Sequence, residues 1–241
     1  MIKEESTQMR YEEFTIEGRN AVIEAYRAGR PIDKLFILDG CQDGPILTIK
    51  REAKAKQTPV KFVTKERLDQ LSETGKHQGV IAYAAAYEYA TVEEILDNAR
   101  QKGEAPFLFL LDNIEDPHNL GAIIRTANLA GAHGVIVPKN RAAGLTAVVA
   151  KTSAGALNFT PVARVTNLAK TIEELKKEGI WFVCADMGGT TMYDLNLKGP
   201  IGLVIGNEGE GVGRLVKEKC DMVASIPMKG DIDSLNASVA A

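Results

Sequence analysis

Three polar, glycine-rich segments in the second half of the sequence contain the residues most able to do chemistry. They are residues 119–126 (NLGAIIRT), 205–211 (IGNEGEG) and 226–238 (IPMKGDIDSLNAS). Each lies at the end of an apolar, strand-like run, and open α/β sheets bind ligands at the carboxyl ends of their strands. They offer a cation to grip an anion, a carboxylate to move a proton, and backbone that can approach a ligand closely. We therefore expect the three segments to build one ligand site.

Arg125 is unusual because its neighbours in the first segment are apolar. Asp116 and the residues after it can cap a helix that is apolar nearly all round, which predicts a buried helix with Arg125 in its middle. A buried arginine is costly unless it pairs with an anion or opens onto a site. Arg125 therefore either bridges to a buried carboxylate or has a catalytic or phosphate-gripping role.

The other two segments each have a functional and a plain structural interpretation. Glu208 stands among glycines and is either a reactive carboxylate beside a ligand or an exposed acid in a turn before a helix at residues 212–219. Ser234 is a natural helix N-cap, but capping by Ser234 leaves the nearby Asn236 unexplained.

Two common nucleotide-binding motifs do not fit these segments. The glycines of residues 206–213 do not form the G-x-G-x-x-G fingerprint of dinucleotide folds, and no Lys-Ser/Thr pair ends them as in a phosphate loop. They also follow a late strand, whereas the dinucleotide fingerprint follows the first strand. A different α/β architecture is therefore expected.

The alternation of strand-like and helical patterns predicts two domains. We place the first domain at residues 12–90, a linker at 91–105 and the second domain at 106–241. The linker is expected to open with a capping box and an amphipathic helix and to end in a polar Gly/Pro stretch. The first domain is expected to be a small α/β unit with strands at 34–38, 60–63 and 79–87 and helices at 20–28, 45–56 and 65–71. The second is expected to be a mainly parallel sheet covered on both faces, with strands at 107–111, 135–138, 159–162, 180–185, 201–205 and 222–226.

The composition excludes some classes of protein. The chain has 241 residues and no apolar run near the roughly 20 residues that span a bilayer, and its start lacks a signal-peptide pattern, so we expect a cytoplasmic protein. Its three cysteines are far apart, and we expect them to be reduced rather than to bind a metal. The net charge of −3 gives no global attraction to nucleic acid. Binding to RNA would depend on local patches, which residues 50–76 and 139–170 could supply.

The three segments closely resemble the signature motifs of the SpoU (TrmH) family of RNA ribose 2′-O-methyltransferases, in the SPOUT superfamily, both in their order along the chain and in their residues. The similarity runs from about residue 14 to the end and includes GRNAV at residues 18–22 and HQGV at residues 77–80. Within the family, the sequence is most similar to the bacterial enzymes that methylate a guanosine ribose in 23S ribosomal RNA. The resemblance implies a mainly parallel α/β sheet with a C-terminal deep trefoil knot, and a small N-terminal α/β RNA-binding domain.

The resemblance also implies which residues form the site. The residues matched to the S-adenosylmethionine pocket are Gly206, Ile226, Leu235, Ile205, Met228 and Gly209. Those matched to the reaction site are Arg125, Asn119, Glu208, Ser234 and Asn236. A sulfonium methyl is already activated, so transfer needs mainly positioning and a deprotonated ribose hydroxyl. Arg125 stays protonated at neutral pH, so we favour it as the cation that holds the phosphate, with Glu208 orienting it or accepting the proton.

The resemblance further implies a homodimer that uses no metal and acts on 23S ribosomal RNA. RNA contacts from the N-terminal domain are expected at Arg19, Lys50, Lys54 and Lys61. Family members usually continue past the third motif with a full helix, whereas this sequence stops at Ala241, so we expect either that the sequence is cut or that the knot and dimer interface are impaired. Three alternatives stay open: a non-catalytic RNA-binding protein of this fold, a related enzyme acting on transfer RNA, and an unrelated small-molecule enzyme that uses Glu208 as a base.

Overall fold

The first domain is a small mixed sheet with helices packed on it. A computed structural model describes residues 14–231 and 234–241, so residues 12 and 13 of the expected domain lie outside the described residues. The sheet has the order β1-β4-β2-β3, with β4 antiparallel to β1 and β2, and β3 parallel to β2. The elements are β1 (Phe14–Glu17), α1 (Arg19–Arg27), β2 (Ile32–Leu38), α2 (Gly44–Lys56), β3 (Val60–Val63), α3 (Lys65–Leu71) and β4 (Val80–Ala84).

Capping side chains stabilise the starts of α2 and α3. Asp43 accepts a hydrogen bond from the N–H of Ile46 at the start of α2, and Thr64 accepts one from Arg67 at the start of α3, as predicted for Thr64. The inner faces of α1 and α2 pack on β2 and β4 in a core that includes Val22, Tyr26, Leu35, Ile37, Ile46, Ile49 and Val80.

The second domain is a parallel sheet with the strand order β10-β8-β9-β5-β6-β7. Each neighbouring pair in this sheet is parallel, which confirms the prediction of a mainly parallel sheet. Its elements are α4 (Val92–Lys102), β5 (Phe107–Leu111), α5 (Pro117–Leu129), β6 (Gly134–Pro138), α6 (Ala147–Thr152), β7 (Val162–Val165), α7 (Leu168–Lys177), β8 (Trp181–Thr191), β9 (Ile201–Ile205), α8 (Arg214–Lys217), β10 (Met222–Ser225) and α9 (Ala237–Ala240).

Strand β5 shows why this sheet is apolar throughout. Phe109 and Leu111 lie in a core shared with α5, α6 and α9, whereas Leu108 and Leu110 lie in a second core shared with α4, α7 and α8. Successive side chains of a strand point to opposite faces, so both faces of the sheet are covered by helices. None of the helices in the described part of the chain is long and apolar enough to cross a membrane.

The last segment of the chain returns to the middle of the sheet after its edge strand. Strand β10 lies at the edge beside β8, yet the residues after it reach the loop that follows β9, and α9 packs against α5. This course is the one that the expected C-terminal knot requires.

Residues 91–105 contain the capped helix that the sequence predicts, α4. Thr91 Oγ1 accepts from the Glu94 N–H, and the Glu94 carboxylate accepts from the Thr91 N–H, so the predicted capping box is present. Ile95 and Leu96 lie in the core of the second domain, and Ala99 is also buried. Residues 103–106 connect this helix to β5 without regular structure, within the polar Gly/Pro stretch that the sequence indicates.

Other stretches also differ from the expected strands. Residues 159–162 were expected to be a strand, but a 3-10 helix at Ala156–Asn158 leads into an exposed Phe159, and β7 begins at Val162. Pro161 has no N–H to donate to a sheet ladder, which explains why the strand starts after it. Strand β8 runs past its expected end through two glycines, which are poor strand formers. Strand β1 is a short edge strand that the sequence did not indicate.

Candidate cofactor and reaction site

A cleft of about 230 Å³ opens at the carboxyl ends of β8, β9 and β10. Parallel strands bring these ends to one edge of the sheet, where open α/β folds bind ligands. Two of the residues expected at the reaction site, Glu208 and Ser234, line this cleft. The structure also brings to the cleft all six residues that were expected to hold the cofactor, namely Ile205, Gly206, Gly209, Ile226, Met228 and Leu235.

The loop after β9 is held in shape by its own polar groups. Asn207 Oδ1 accepts hydrogen bonds from the N–H groups of Gly209 at 3.1 Å and Glu210 at 2.7 Å, and Gly211 has a φ of +67°. A Cβ atom on Gly206 would lie 2.1 Å from the carbonyl carbon of Gly211, so only glycine fits there. A Cβ on Gly209 would meet nothing closer than 4.0 Å. The fold therefore requires the glycine at 206 but not the one at 209.

Glu208 joins the three segments that the sequence indicates. Its Oε1 atom accepts hydrogen bonds from Asn119 Nδ2 at 2.7 Å, from Asn236 Nδ2 at 2.8 Å and from the N–H of Ala237 at 3.0 Å. Asn236 Nδ2 also lies 3.1 Å from Asn119 Oδ1. One carboxylate oxygen thus connects the first turn of α5, the loop after β9 and the start of α9.

These hydrogen bonds limit the chemistry available to Glu208. The backbone N–H of Ala237, helped by the Asn119 amide, holds the pKa of Glu208 below its ordinary value. A carboxylate stabilised in this way is a weaker base than an ordinary glutamate. The geometry therefore favours a role for Glu208 in fixing the three segments over a role in accepting a proton.

Asp186 and Met187 line the same cleft and were missed in the sequence. They lie in the part of β8 beyond its expected end at residue 185. Asp186 Oδ2 forms an ion pair with Lys217 Nζ at 2.5 Å, and Met187 is largely exposed. The one available signal was a carboxylate directly after an apolar strand. Across residues 14–231 and 234–241, His, Cys, Asp and Glu form no group that could hold a metal ion.

Asn236, rather than Ser234, caps the last helix. Asn236 Oδ1 accepts a hydrogen bond from the Ser238 N–H at 3.0 Å, at the start of α9. Ser234 is exposed at the cleft and forms no hydrogen bond to the described residues. The expected N-cap role of Ser234 is therefore wrong, and capping accounts for Asn236 instead.

Arg125 is exposed, which corrects the expectation of a buried arginine. Helix α5 is amphipathic, and Arg125 lies on its outer side; the buried residues are Leu120, Gly121, Ile123, Ile124 and Ala127. Arg125 does not line the cleft at β8, β9 and β10, and it forms no hydrogen bond or ion pair with any described residue. No described carboxylate bridges to it, so its guanidinium is available to an anion.

Two of the four expected RNA contacts are engaged inside the first domain. Arg19 forms an ion pair with Asp43 at 2.7 Å. Lys50 Nζ donates to the carbonyl of Cys41 at 2.9 Å and lies 5.0 Å from the centre of the Phe62 ring. Both side chains therefore stabilise the domain itself, which lowers their availability to RNA.

The other two expected RNA contacts, Lys54 and Lys61, are exposed. Lys54 lies near the end of α2, and Lys61 lies on the edge strand β3. Neither forms a hydrogen bond or ion pair with the residues that the structure describes. These lysines are free to contact a phosphate backbone.

The two domains meet at a buried ion pair. Arg164 on β7 donates to Asp33 Oδ1 on β2 at 2.6 Å, and the two side chains are 12% and 6% exposed. The Tyr89 hydroxyl donates to the same oxygen at 2.6 Å, and its ring centre lies 5.1 Å from the Arg164 guanidinium carbon. Burial raises the pKa of Asp33, and Tyr89 and Arg164 oppose that rise. A Cβ on Gly144 would lie 2.2 Å from Asp33 Oδ2, so the backbone at Gly144 approaches the pair closely.

Comparison with known proteins identifies both domains. Residues 106–241 match the SpoU rRNA Methylase family, and residues 15–90 match the family described as RNA 2′-O ribose methyltransferase substrate binding. A protein of Bacillus subtilis (strain 168) named as a TrmH family tRNA/rRNA methyltransferase, YacO, is 50% identical over 93% of this chain and 90% of its own length.

Two solved structures share the fold to different extents. An AdoMet-bound rRNA methyltransferase from Sinorhizobium meliloti matches with a TM-score of 0.57 and 26% identity, over 95% of this chain and 83% of that chain. The A. aeolicus TrmH/SpoU tRNA modifying enzyme matches with a TM-score of 0.51 and 27% identity, over 57% of this chain and 70% of that chain.

Proposed function

The chain belongs to the SpoU family of RNA methyltransferases, and from this premise we propose that it transfers a methyl group from S-adenosylmethionine to the ribose 2′-hydroxyl of a guanosine in 23S ribosomal RNA. In this proposal residues 12–90 bind the RNA, residues 106–241 carry out the transfer, and the protein works in the cytoplasm. The observation that carries the proposal is the meeting of the three motif segments at Glu208, beside one cleft.

The residues around the cleft suit S-adenosylmethionine. Gly206 lines the cleft with backbone atoms, which can form hydrogen bonds to a ligand, and the apolar side chains of Ile226 and Leu235 can cover a flat ring. Glu210 also lines the cleft and supplies negative charge for a cationic ligand, whereas the charge of Asp186 is balanced by Lys217. When bound, S-adenosylmethionine supplies a methyl group that its sulfonium has already activated.

Arg125 is the residue that we assign to the substrate at the reaction site. Its guanidinium has no partner in the described chain, so it can hold an RNA phosphate and stabilise charge that develops on the ribose oxygen. Ser234 presents a free hydroxyl at the cleft. Asn119 and Asn236 are held by Glu208, which positions their amides near the same place.

The two-domain architecture supports ribosomal RNA as the substrate. The rRNA methyltransferase of S. meliloti matches 95% of this chain, whereas the A. aeolicus tRNA modifying enzyme matches 57%. Both domains together are thus shared with the ribosomal RNA enzyme. The exposed Lys54 and Lys61 of the first domain supply charge for gripping its phosphates.

A homodimer is part of the proposal. Leu129 and Phe159 are 77% and 78% exposed, and they flank the hydrogen bond from Asn128 to Thr160. Val239 is exposed on α9, which packs against α5. Large apolar side chains that are exposed together are typical of a protein interface. A second copy of the chain is the occupant that we propose for this surface.

Methyl transfer to purified RNA tests the proposed function. The protein is incubated with labelled S-adenosylmethionine and unmodified 23S ribosomal RNA, with transfer RNA in a parallel reaction. The modified ribose is then mapped by its resistance to alkaline cleavage. We expect one labelled guanosine in the ribosomal RNA. Arg125→Ala should abolish the label, whereas Arg27→Ala, which changes an exposed arginine paired with Glu24, should keep it.

The outcomes separate the parts of the proposal. Label in transfer RNA alone would overturn the ribosomal RNA assignment. Absence of label in both RNAs, from protein that binds S-adenosylmethionine in calorimetry, would overturn the methyl transfer and favour an RNA-binding role. Full activity of Arg125→Ala would remove Arg125 from the reaction site.

A further inference from the structure

A second cleft, of about 150 Å³, lies between the two domains. Lys34 on β2 lines one side, and Pro117 at the start of α5, Lys139 after β6 and Arg164 on β7 line the other. Asn119 of the reaction site lies on the same first turn of α5 as Pro117. The cleft therefore opens close to the place where the target ribose binds in the proposed function.

Lys34 and Lys139 lie in this cleft without a counter-ion. Both are half-buried; Lys34 forms no hydrogen bond or ion pair with a described residue, and Lys139 donates to the neutral side chain of Gln57. Burial lowers the pKa of both lysines. The nearby charge of Lys61 lowers the pKa of Lys34 further, and that of Arg164 lowers the pKa of Lys139 further. Cations that are crowded and partly desolvated in this way destabilise the folded chain.

The two carboxylates that line the cleft do not neutralise these lysines. Asp33 uses one oxygen for Arg164 and Tyr89, and its other oxygen is buried without a hydrogen-bond partner. Glu115 is exposed and forms no ion pair in the described chain, and its charge offsets only part of the shift at Lys34. The cleft therefore keeps a net positive charge.

The surroundings of the cleft extend this positive charge. Lys61 on the edge strand β3 lies near Lys34, and residues 139–170 contain no Asp or Glu. Departures from favourable local pairing are expected at functional sites, and an anion is the ligand that would relieve this repulsion.

We propose that the inter-domain cleft binds a phosphodiester group of the substrate RNA close to the methylated ribose, an inference that rests on the proposed methyl transfer to RNA. Lys34 and Lys139, one from each domain, hold the phosphate together. The buried pair of Asp33 and Arg164 sets the spacing of the two lysines. The cleft thereby aligns the strand held by the first domain with the reaction site of the second.

The salt dependence of RNA binding tests this site. Lys34→Gln and Lys139→Gln each remove one charge from the cleft. Lys198→Gln removes one from an exposed lysine before β9, at the amino-terminal edge of the sheet, and serves as the matched control. Binding of transcribed 23S ribosomal RNA is measured over a range of salt concentrations. We expect each cleft variant to bind more weakly and to lower the slope of log affinity against log salt by about 1, and the control to match the wild type.

Two further measurements keep the test independent of folding and of the proposed function. Melting temperatures of the cleft variants should equal or exceed that of the wild type, because repulsion is relieved, and S-adenosylmethionine affinity should be unchanged. If the cleft variants show the same slope of log affinity against log salt as Lys198→Gln, the proposed phosphate site is overturned. Wild-type protein that shows the expected slopes but transfers no methyl group would overturn the proposed function and leave the phosphate site in place.

Discussion

The side-chain amide of Asn119 donates to Glu208 Oε1 at 2.7 Å, across 89 residues of sequence. The same oxygen accepts from the side chain of Asn236 and from the backbone of Ala237. Three separated segments are therefore joined through one atom. The arrangement explains why each motif carries a polar residue here, because each supplies a donor or the acceptor of one network.

Glu208→Gln should weaken this network without abolishing it. Glutamine keeps an accepting oxygen but loses the charge, and hydrogen bonds to charged groups are the stronger ones. Because the site is exposed, we expect the free energy of unfolding to fall by only about 1 kcal/mol in urea denaturation at neutral pH. Glu210→Gln in the same loop is the matched control and should leave the stability unchanged.

The pH dependence of the same variant distinguishes the two roles of Glu208. In the folded protein the pKa of Glu208 lies below its ordinary value of 4.5. The contribution of Glu208 to the free energy of unfolding is therefore complete above the pKa of the unfolded chain and is lost as the pH falls through the pKa of the folded protein. The stability difference between wild type and Glu208→Gln should be constant from about pH 6 to about pH 8 and shrink in acid. An activity profile that titrates near neutrality and loses this titration in Glu208→Gln would instead make Glu208 a general base.

Gly206 and Gly209 offer a matched comparison within one loop. Gly206→Ala places a Cβ within 2.3 Å of the backbone of Gly211 and Val212, so we expect a loss of about 3 kcal/mol in unfolding free energy. Gly209→Ala has space and should unfold like the wild type. Because Gly209 lines the cofactor cleft, its alanine variant should lower S-adenosylmethionine affinity about tenfold in titration calorimetry. Unchanged affinity would show that no ligand atom approaches position 209.

Burial explains which elements the sequence could predict. Strands β5 and β9 match their predictions residue for residue, because both faces are covered and all their residues other than Gly202 carry apolar side chains. Phe159 is apolar but 78% exposed, so its apolar side chain wrongly indicated that the buried strand begins at residue 159. Gly188 and Gly189 lie inside β8 but carry no side chain, so the apolar pattern ended before the strand did.

The candidate site divides in a similar way. The glycine-rich loop at a strand end was visible in the sequence, and the six residues assigned to the cofactor all line the cleft. The sequence does not show which residues pair with an individual charged side chain, because this pairing depends on distances across the fold. Arg19 and Lys50 are basic in the sequence, yet Asp43 and the Cys41 carbonyl bind them inside the domain. The exposure of Arg125 likewise depends on which side of α5 packs on the sheet.

The buried pair of Asp33 and Arg164 should respond differently to single and double replacement. Arg164→Met leaves the Asp33 carboxylate buried without its cation, so we expect the free energy of unfolding to fall by about 3 kcal/mol. Adding Asp33→Leu should recover most of that loss, because two apolar side chains replace the whole pair. Urea denaturation of the four proteins in the cycle measures both effects.

The double variant also tests the role of this pair in positioning the domains. Leucine and methionine do not fix an orientation as the hydrogen-bonded pair does, so the KM for ribosomal RNA should rise while S-adenosylmethionine affinity stays the same. Losses of stability that simply add would contradict the coupling of Asp33 and Arg164. An unchanged KM would show that the domains keep their orientation without the pair.

Ser234 and Asn236 should separate chemistry from folding. Asn236→Ala removes the cap of α9 and the hydrogen bonds to Glu208 and Asn119, so we expect a loss of about 2 kcal/mol. Ser234→Ala should leave the stability unchanged, because Ser234 forms no hydrogen bond to the described residues. Its rate of methyl transfer should fall at least about tenfold if the hydroxyl acts on the substrate. A normal rate would remove Ser234 from the reaction site.

The exposed apolar surface at Leu129 and Phe159 should control the oligomeric state. Leu129→Glu and Phe159→Glu each place a charge where the proposed interface excludes water, so we expect sedimentation velocity to show monomers at concentrations where the wild type is a dimer. Trp181→Glu is the matched control, because Trp181 is 58% exposed at the amino-terminal end of β8. Dimers that persist in both interface variants would assign this surface to another partner. Monomers that keep full methyl transfer would show that one copy of the chain contains the whole site.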